Sequence, residues 1–321
     1  MKFEDVKKIV IAGAGTMGLA AAQTMAQYGY ETVLWNHRQP TLDKAKETIT
    51  LNQNNLVAAG KKTQEEADAL IARITFTTEM DCFKDADLVN EHVTENMEIK
   101  HDFYKKVCAI CKPDCILTTD TSGMPITKIA EAVTNPERFA GMHWYNPPHL
   151  VPVLEIIKGD LTSDETAEVV KAVGEAVGKV VIIAKKDVPG FLINRMQFAM
   201  LRECLHIVES GIASIEDVDK AMKYALGFRW AWIGPFQTVD FGGVDTFYKI
   251  ASYLFADLSD MKEPPKMFKE LYDNGNFGVK AGKGFYDYPG ERGKEMMAYR
   301  DNSFVKHADA LLEQDKKFGL R

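Results

Sequence analysis

At 321 residues, with 46% hydrophobic and 26% charged side chains, the chain has room for two ordinary globular domains and lacks the bias of a disordered or collagenous protein. A formal net charge of −7 argues against nucleic acid or an anionic membrane surface as a partner, so an anionic substrate must be met by a local group of cations. No stretch approaches the length of an uninterrupted apolar span, and the opening MKFEDVKKIVIAGAG has no signal-peptide pattern.

The first element is an apolar strand pattern at 6–12, which runs into Gly13-Ala14-Gly15-Thr16-Met17-Gly18 and a small-residue helix over 17–28. Gly13 permits a tight turn, Gly15 lets backbone approach a pyrophosphate, and Gly18 allows close helix–strand packing. The helix start at Thr16 and Met17 adds free N–H donors for phosphate. A GxGxxG standing between strand and helix reads as a dinucleotide site rather than a plain glycine-rich turn. The second strand, 31–35, ends in LWNHR. NAD sites usually place a carboxylate here to bind the adenosine ribose; this chain has Asn36 and, two residues on, Arg38. With nothing to repel a 2′-phosphate and Arg38 available to pair with it, the balance tips slightly to NADP. With Asn36 on the ribose and Arg38 solvated, the cofactor is NAD.

Helical patterns follow at 42–59 and 64–72, and strand patterns at 74–77, 88–93, 116–119, 139–145, 153–158 and 180–184. This rhythm predicts an α/β, Rossmann-type doubly wound sheet, mostly parallel. Cys108, Cys111 and Cys115 cluster, but no fourth ligand lies nearby and Pro113 interrupts the helix, so no metal site is expected. Five cysteines at no disulfide-like spacing read as a reduced, cytoplasmic protein. After KKDVPG the pattern turns wholly helical, over 191–210, 214–226, 244–258 and 265–274. The expected division is therefore a dinucleotide-binding domain at 1–187 and an all-helical domain at 188–321. GVKAGKG near the end is no phosphate loop, because Gly284 rather than Ser or Thr follows Lys283.

The stretch GMHWYNPPHLVPVLE places His143 on a strand, then Pro147, Pro148 and Pro152, then Glu155. Prolines fix φ and remove donors, so the chain is expected to bend and double back, bringing Glu155 opposite His143. Oxidising a secondary alcohol needs a base for the O–H proton as hydride leaves carbon. Histidine suits it, with an ordinary pKa of about 6.5, and a carboxylate on the far ring nitrogen fixes the tautomer. Singly, Ser122 reads as a turn residue, Glu155 as a strand-face charge and Asn194 as a helix cap. Following a dinucleotide fingerprint, His143, Glu155, Ser122 and Asn194 together read as a catalytic set.

DTSGMPI, GMHWYNPPHLVPVLE and DVPGFLINR, in that order and far apart, resemble the L-3-hydroxyacyl-CoA dehydrogenase family over nearly the whole chain. The resemblance implies an NAD(P)-dependent oxidoreductase that interconverts an L-3-hydroxyacyl compound, such as 3-hydroxybutyryl-CoA, and its 3-oxo form. It also implies a helical domain that binds substrate and forms a homodimer. Carried over, His143 is the base, Glu155 its carboxylate partner, and Ser122 the donor to the reacting oxygen, with Asn194 reaching in from the helical domain. Glu95, Lys100 and Asn146 line the cofactor, and Lys280 lies near it.

The chain departs from the pattern in places. Asp120 opens a DTSG where acyl-CoA enzymes commonly have NTSS, and Asn55 and Ala59 stand where lysines grip CoA phosphates. LGFRWAWIGPF brings in Arg229 and looks more like the branch acting on free hydroxy acids, such as L-gulonate or carnitine dehydrogenases. Arg229 either pairs with a substrate carboxylate or stacks on Trp230 or Trp232. An acyl-CoA and a CoA-free hydroxy acid both remain open as substrate. A crystallin-like, cofactor-binding protein without turnover is the third reading, against which the four catalytic-type residues together argue.

Overall fold

The computed structural model describes residues 1–319 and falls into two compact units, Met1–Leu192 and a second beginning at Ile193. In the first, β1 (Lys8–Ala12), α1 (Thr16–Gln27), β2 (Glu31–Trp35), α2 (Gln39–Ala58), α3 (Gln64–Ala72) and β3 (Ile74–Thr77) form one half. The other half is β4 (Leu88–Glu91), α4 (Met97–Cys108), β5 (Ile116–Thr119), α5 (Ile126–Ile129), β6 (Phe139–Trp144), β7 (Val153–Ile157), α6 (Asp164–Ala176) and β8 (Val180–Ala184). The strands join in one eight-stranded sheet, ordered β3-β2-β1-β4-β5-β6-β7-β8. All neighbours are parallel except β6 and β7.

Parallel strands lie under helices on both faces, which is why β1, KIVIA, is nearly continuous hydrophobe and buried. One core cluster joins Ile9, Ile11, Ala22, Met25 and Leu34; the other, across the sheet, joins Val10, Phe83, Phe103, Tyr104 and Phe139. Strand order reverses between β1 and β4, so the carboxyl ends of β1, β2, β4, β5 and β6 open onto one crevice, where such sheets bind ligands.

The second unit holds α7 (Ile193–Glu209), α8 (Ile215–Ala221), a π-helical turn (Met222–Leu226), α9 (Gly227–Gly242), α10 (Val244–Leu254), α11 (Lys266–Asp273) and α12 (Arg292–Phe318). Sequence periodicity leaves out α4, α5, α6, α9 and α12. In α9 the reason is local: Gly227, Gly234 and Pro235 read as a breaker segment, and the helix is indeed broken at Gly234, with φ 58°. The polar α12 buries only Gly293, so it has no apolar stripe to detect. The strand expected at 88–93 ends at Glu91, whose carboxylate takes the N–H of Val93 and turns the chain outward.

Candidate active site

The glycine loop follows β1 directly. Gly13 has φ 122°, and a Cβ there would lie 2.4 Å from the His92 carbonyl oxygen. A Cβ on Gly18 would lie 1.8 Å from the Gly13 oxygen, whereas Gly15, the N-cap of α1, has nothing within 4 Å of that position. Two glycines are thus filled by packing and the third is open to a ligand, the arrangement that fits a pyrophosphate at the helix start. Thr16 is exposed and Met17 half-buried beside it. At the end of β2, Asn36 is buried and donates its side-chain N–H to the Arg38 carbonyl at 3.2 Å, while Arg38 is exposed at the N-cap of α2.

His143 and Glu155 face each other across β6 and β7 as a directly paired antiparallel couple. The bend through Pro147, Pro148 and Pro152 reverses the chain and makes this register possible. His143 Nδ1 lies 3.1 Å from Glu155 Oε2, with the two side chains 3% and 0% exposed. The Tyr145 hydroxyl donates to the same oxygen at 2.7 Å, and the Leu192 N–H donates to Oε1 at 2.7 Å. Burial opposes ionisation of Glu155, but the hydrogen bonds from His143, Tyr145 and the Leu192 amide outweigh it and hold the carboxyl below its usual range. The Tyr145 ring stands 4.4 Å from the imidazole, and the Phe191 ring packs edge-on at 5.8 Å. Phe191 is buried at φ 49°, a strained setting for a bulky residue.

Ser122 follows β5 and is exposed at the same sheet end, its amide donating to Glu95 Oε1 at 3.3 Å; Thr121 also hydrogen-bonds that oxygen. Lys100 is fully buried, 2.6 Å from Glu91 and 3.3 Å from Glu95. Glu91 also accepts from Tyr104 and Thr119. Asn146 is exposed in the bend. Sequence reasoning missed Tyr145, Phe191 and Glu91. A Tyr beside a catalytic-type His was a usable signal, but nothing local distinguished Phe191. Among the described residues no cluster of His, Cys, Asp or Glu is placed to hold a metal, and Cys108, Cys111 and Cys115 instead line a cavity of about 140 Å³.

In the second unit, Asn194 lies in the first turn of α7. Arg229 is exposed on α9, directly after the π-helical turn, and its Nε donates to the Ala225 carbonyl at 3.2 Å. Lys280 stands 5.2 Å over the Phe277 ring and lines a cavity of about 1050 Å³ with Leu205, Phe268 and Phe285.

Family models match most of the chain: the NAD-binding domain of 3-hydroxyacyl-CoA dehydrogenase at residues 8–188, and the C-terminal domain of 3-hydroxyacyl-CoA dehydrogenase at 190–288. The chain belongs to this family. Its members here are NAD-dependent oxidoreductases acting on CH–OH groups, and no helix among the described residues is long and apolar enough to cross a membrane. It is 38% identical to a probable 3-hydroxybutyryl-CoA dehydrogenase of Deinococcus radiodurans, covering 88% of this chain and 100% of that one. It is 35% identical to the 5-formyl-3-hydroxy-2-methylpyridine 4-carboxylate 5-dehydrogenase of Mesorhizobium japonicum, covering 94% and 96%. A solved structure of an enzyme of that name, described as an NAD+-dependent dismutase, superposes with TM-score 0.87 at 34% identity, over 95% of this chain and 98% of that one. The (S)-3-hydroxybutyryl-CoA dehydrogenase of Ralstonia eutropha gives 0.75 at 32%, over 89% and 100%.

Proposed function

We propose that this family member uses NAD to oxidise a hydroxyl or hydrated aldehyde carbon of a small CoA-free carboxylate, or to run the reverse reduction, with His143 as the base. The observation that carries the chemistry is the buried His143–Glu155 pair at the sheet end where the glycine loop also opens. Glu155 accepts the Nδ1 hydrogen, so Nε2 is left to take the hydroxyl proton, and the carboxylate steadies the imidazolium that results. The bound nicotinamide would supply the hydride acceptor. Ser122 donates a hydrogen bond to the reacting oxygen, and Asn194 and Arg229 take the substrate carboxylate. Glu95 serves the cofactor's ribose side, and Lys100, expected to line the cofactor but buried between Glu91 and Glu95, acts by holding Glu95.

Three observations support a substrate without CoA. Asn55 and Ala59 stand where phosphate-gripping lysines were expected. The match to the pyridine-carboxylate enzyme spans 94% of this chain against 88% for the Deinococcus enzyme, at 35% and 38% identity respectively. Its TM-score is also higher than that of the Ralstonia enzyme, 0.87 against 0.75. The cofactor is read as NAD, against the slight sequence lean to NADP: the solved relative is described as NAD+-dependent, and the Arg38 that would pair with a 2′-phosphate is paralleled by a neutral Asn36 that suits a ribose at the end of β2.

Absorbance at 340 nm tests this with either cofactor against 3-hydroxybutyryl-CoA, 3-hydroxybutyrate, L-gulonate, L-carnitine and aromatic hydroxymethyl carboxylates. A kcat/KM at least about tenfold higher for a free acid than for the thioester is expected; the opposite ranking overturns the CoA-free reading. His143→Ala is expected to lower kcat by about 10²–10⁴-fold with NADH affinity nearly unchanged. Near-normal turnover in that variant removes the base assignment.

A further inference from the structure

Asp120, the acidic residue that departs from the expected NTSS, has two partners. Its Oδ1 accepts the backbone N–H of Trp144, the residue after His143, at 2.7 Å. Its Oδ2 lies 2.7 Å from His92 Nδ1, with the two side chains 2% and 6% exposed for His92 and Asp120 respectively. The other nitrogen of His92, Nε2, lies 2.8 Å from Asn90 Oδ1.

Donor accounting fixes the hydrogens in this cluster. The indole Nε1 of Trp144 can only donate, and it lies 2.9 Å from the same Asn90 Oδ1. The amide end of Asn90 donates to Thr118 Oγ1 at 3.1 Å, and that hydroxyl donates onward to the Val89 carbonyl at 3.0 Å. Asn90 Oδ1 is therefore an acceptor, and His92 Nε2 must carry a hydrogen. His92 Nδ1 and Asp120 Oδ2 meet at 2.7 Å, out of line for a hydrogen bond, so the two buried side chains are held in contact chiefly by the bonds each makes elsewhere, to Asn90 and to the Trp144 amide.

His92 also touches the nucleotide end of the sheet through its backbone. Its N–H donates to the Ala12 carbonyl at 2.7 Å, and its own carbonyl is what a side chain at Gly13 would strike. One residue thus abuts the glycine loop and, through Asp120 and Asn90, holds both the backbone and the indole of Trp144.

We propose that His92 and Asp120 are a positioning pair that locks the tip of β6, and with it His143, in register with the glycine loop. The proposal rests on the reading of His143 as the base. Without His92, the ring packed against Asp120 Oδ2 is gone and the grip of Oδ1 on the Trp144 amide shifts. Asparagine at 120 keeps an acceptor for that amide, and because the two positions are in contact they must behave non-additively.

A double-mutant cycle over His92→Ala, Asp120→Asn and the double variant tests this by kcat at saturating substrate and by NADH fluorescence titration. His92→Ala is expected to lower kcat at least about tenfold while KM and the NADH Kd stay within about twofold, and the double variant to return within about threefold of the parent. A His92→Ala enzyme with normal kcat, or a double variant as impaired as His92→Ala, overturns the proposal. A lowered Tm with kcat intact also overturns it, because the pair is then only structural. His143→Ala run alongside keeps the two ideas apart: its near-normal turnover would remove the base, whereas the cycle is read between positions 92 and 120 alone.

Discussion

Gly13, Gly15 and Gly18 sit in one loop under different constraints. Backbone atoms occupy the space a side chain would need at Gly13 and Gly18, and Gly15 faces open space. Gly18→Ala is therefore expected to lower Tm in the absence of cofactor. Gly15→Ala should leave Tm unchanged and raise the NADH Kd by about tenfold or more, because the added methyl blocks close approach of a phosphate; equal NADH affinity would contradict a pyrophosphate at that point. Glu155 offers a second residue-level test. Its carboxyl is depressed, so the stability it contributes is present above the ordinary carboxylate value of 4.5 and is lost as pH falls through the folded value. Tyr145→Phe deletes one of its donors. The acid unfolding midpoint is expected to move to higher pH, with a loss of about 0.5–1.5 kcal/mol near neutrality; an unmoved midpoint means that the phenol adds nothing.

At the scale of elements, the proline-rich bend between β6 and β7 decides the site, and a lysine far along the chain supports it. The bend presents carbonyls that need donors. Lys179, 5% exposed between α6 and β8, donates to the Pro148 and Val151 carbonyls at 2.5 and 2.7 Å, and lies 5.5 Å over the Trp144 ring. Burial pushes its pKa down to about 8 from 10.5. Between those values the unfolded chain binds a proton that the native protein no longer holds, so stability is expected to rise with pH across that window. Lys179→Met should flatten this rise in urea titrations and, by leaving two carbonyls without a donor, cost about 1–3 kcal/mol at pH 7. A slope that persists in the variant assigns it to another group. The antiparallel turn was foreseeable from Pro147, Pro148 and Pro152; the lysine beneath it was not, because nothing near residue 179 in sequence refers to the bend.

For the whole molecule, the second unit leaves Phe236, Phe241, Tyr248 and Phe255 between 74% and 85% exposed on and after α9 and α10. So many large apolar side chains are rarely left in water by a lone subunit, so we propose a homodimer through this unit. Sedimentation should show a dimer for the parent and a folded monomer for Phe236→Glu combined with Tyr248→Glu; a monomeric parent rules it out. The division into a sheet unit and a helical unit was legible from the change of period after residue 190, since each period reflects which face of an element is buried.

The sequence by itself determined what short-range geometry controls: the strand–glycine–helix entry, the order of the βα units and the turn that pairs His143 with Glu155. Hydrophobic period and proline placement act within a few residues, so they can be read along the chain. Tertiary structure alone decided which distant groups complete the site. Leu192 reaches Glu155, Lys179 reaches Pro148, and His92 meets Asp120 because sheet order brings separate segments to one end of the sheet. A buried polar group takes its partner from whatever the fold sets beside it, and that neighbour leaves no periodic trace in the chain.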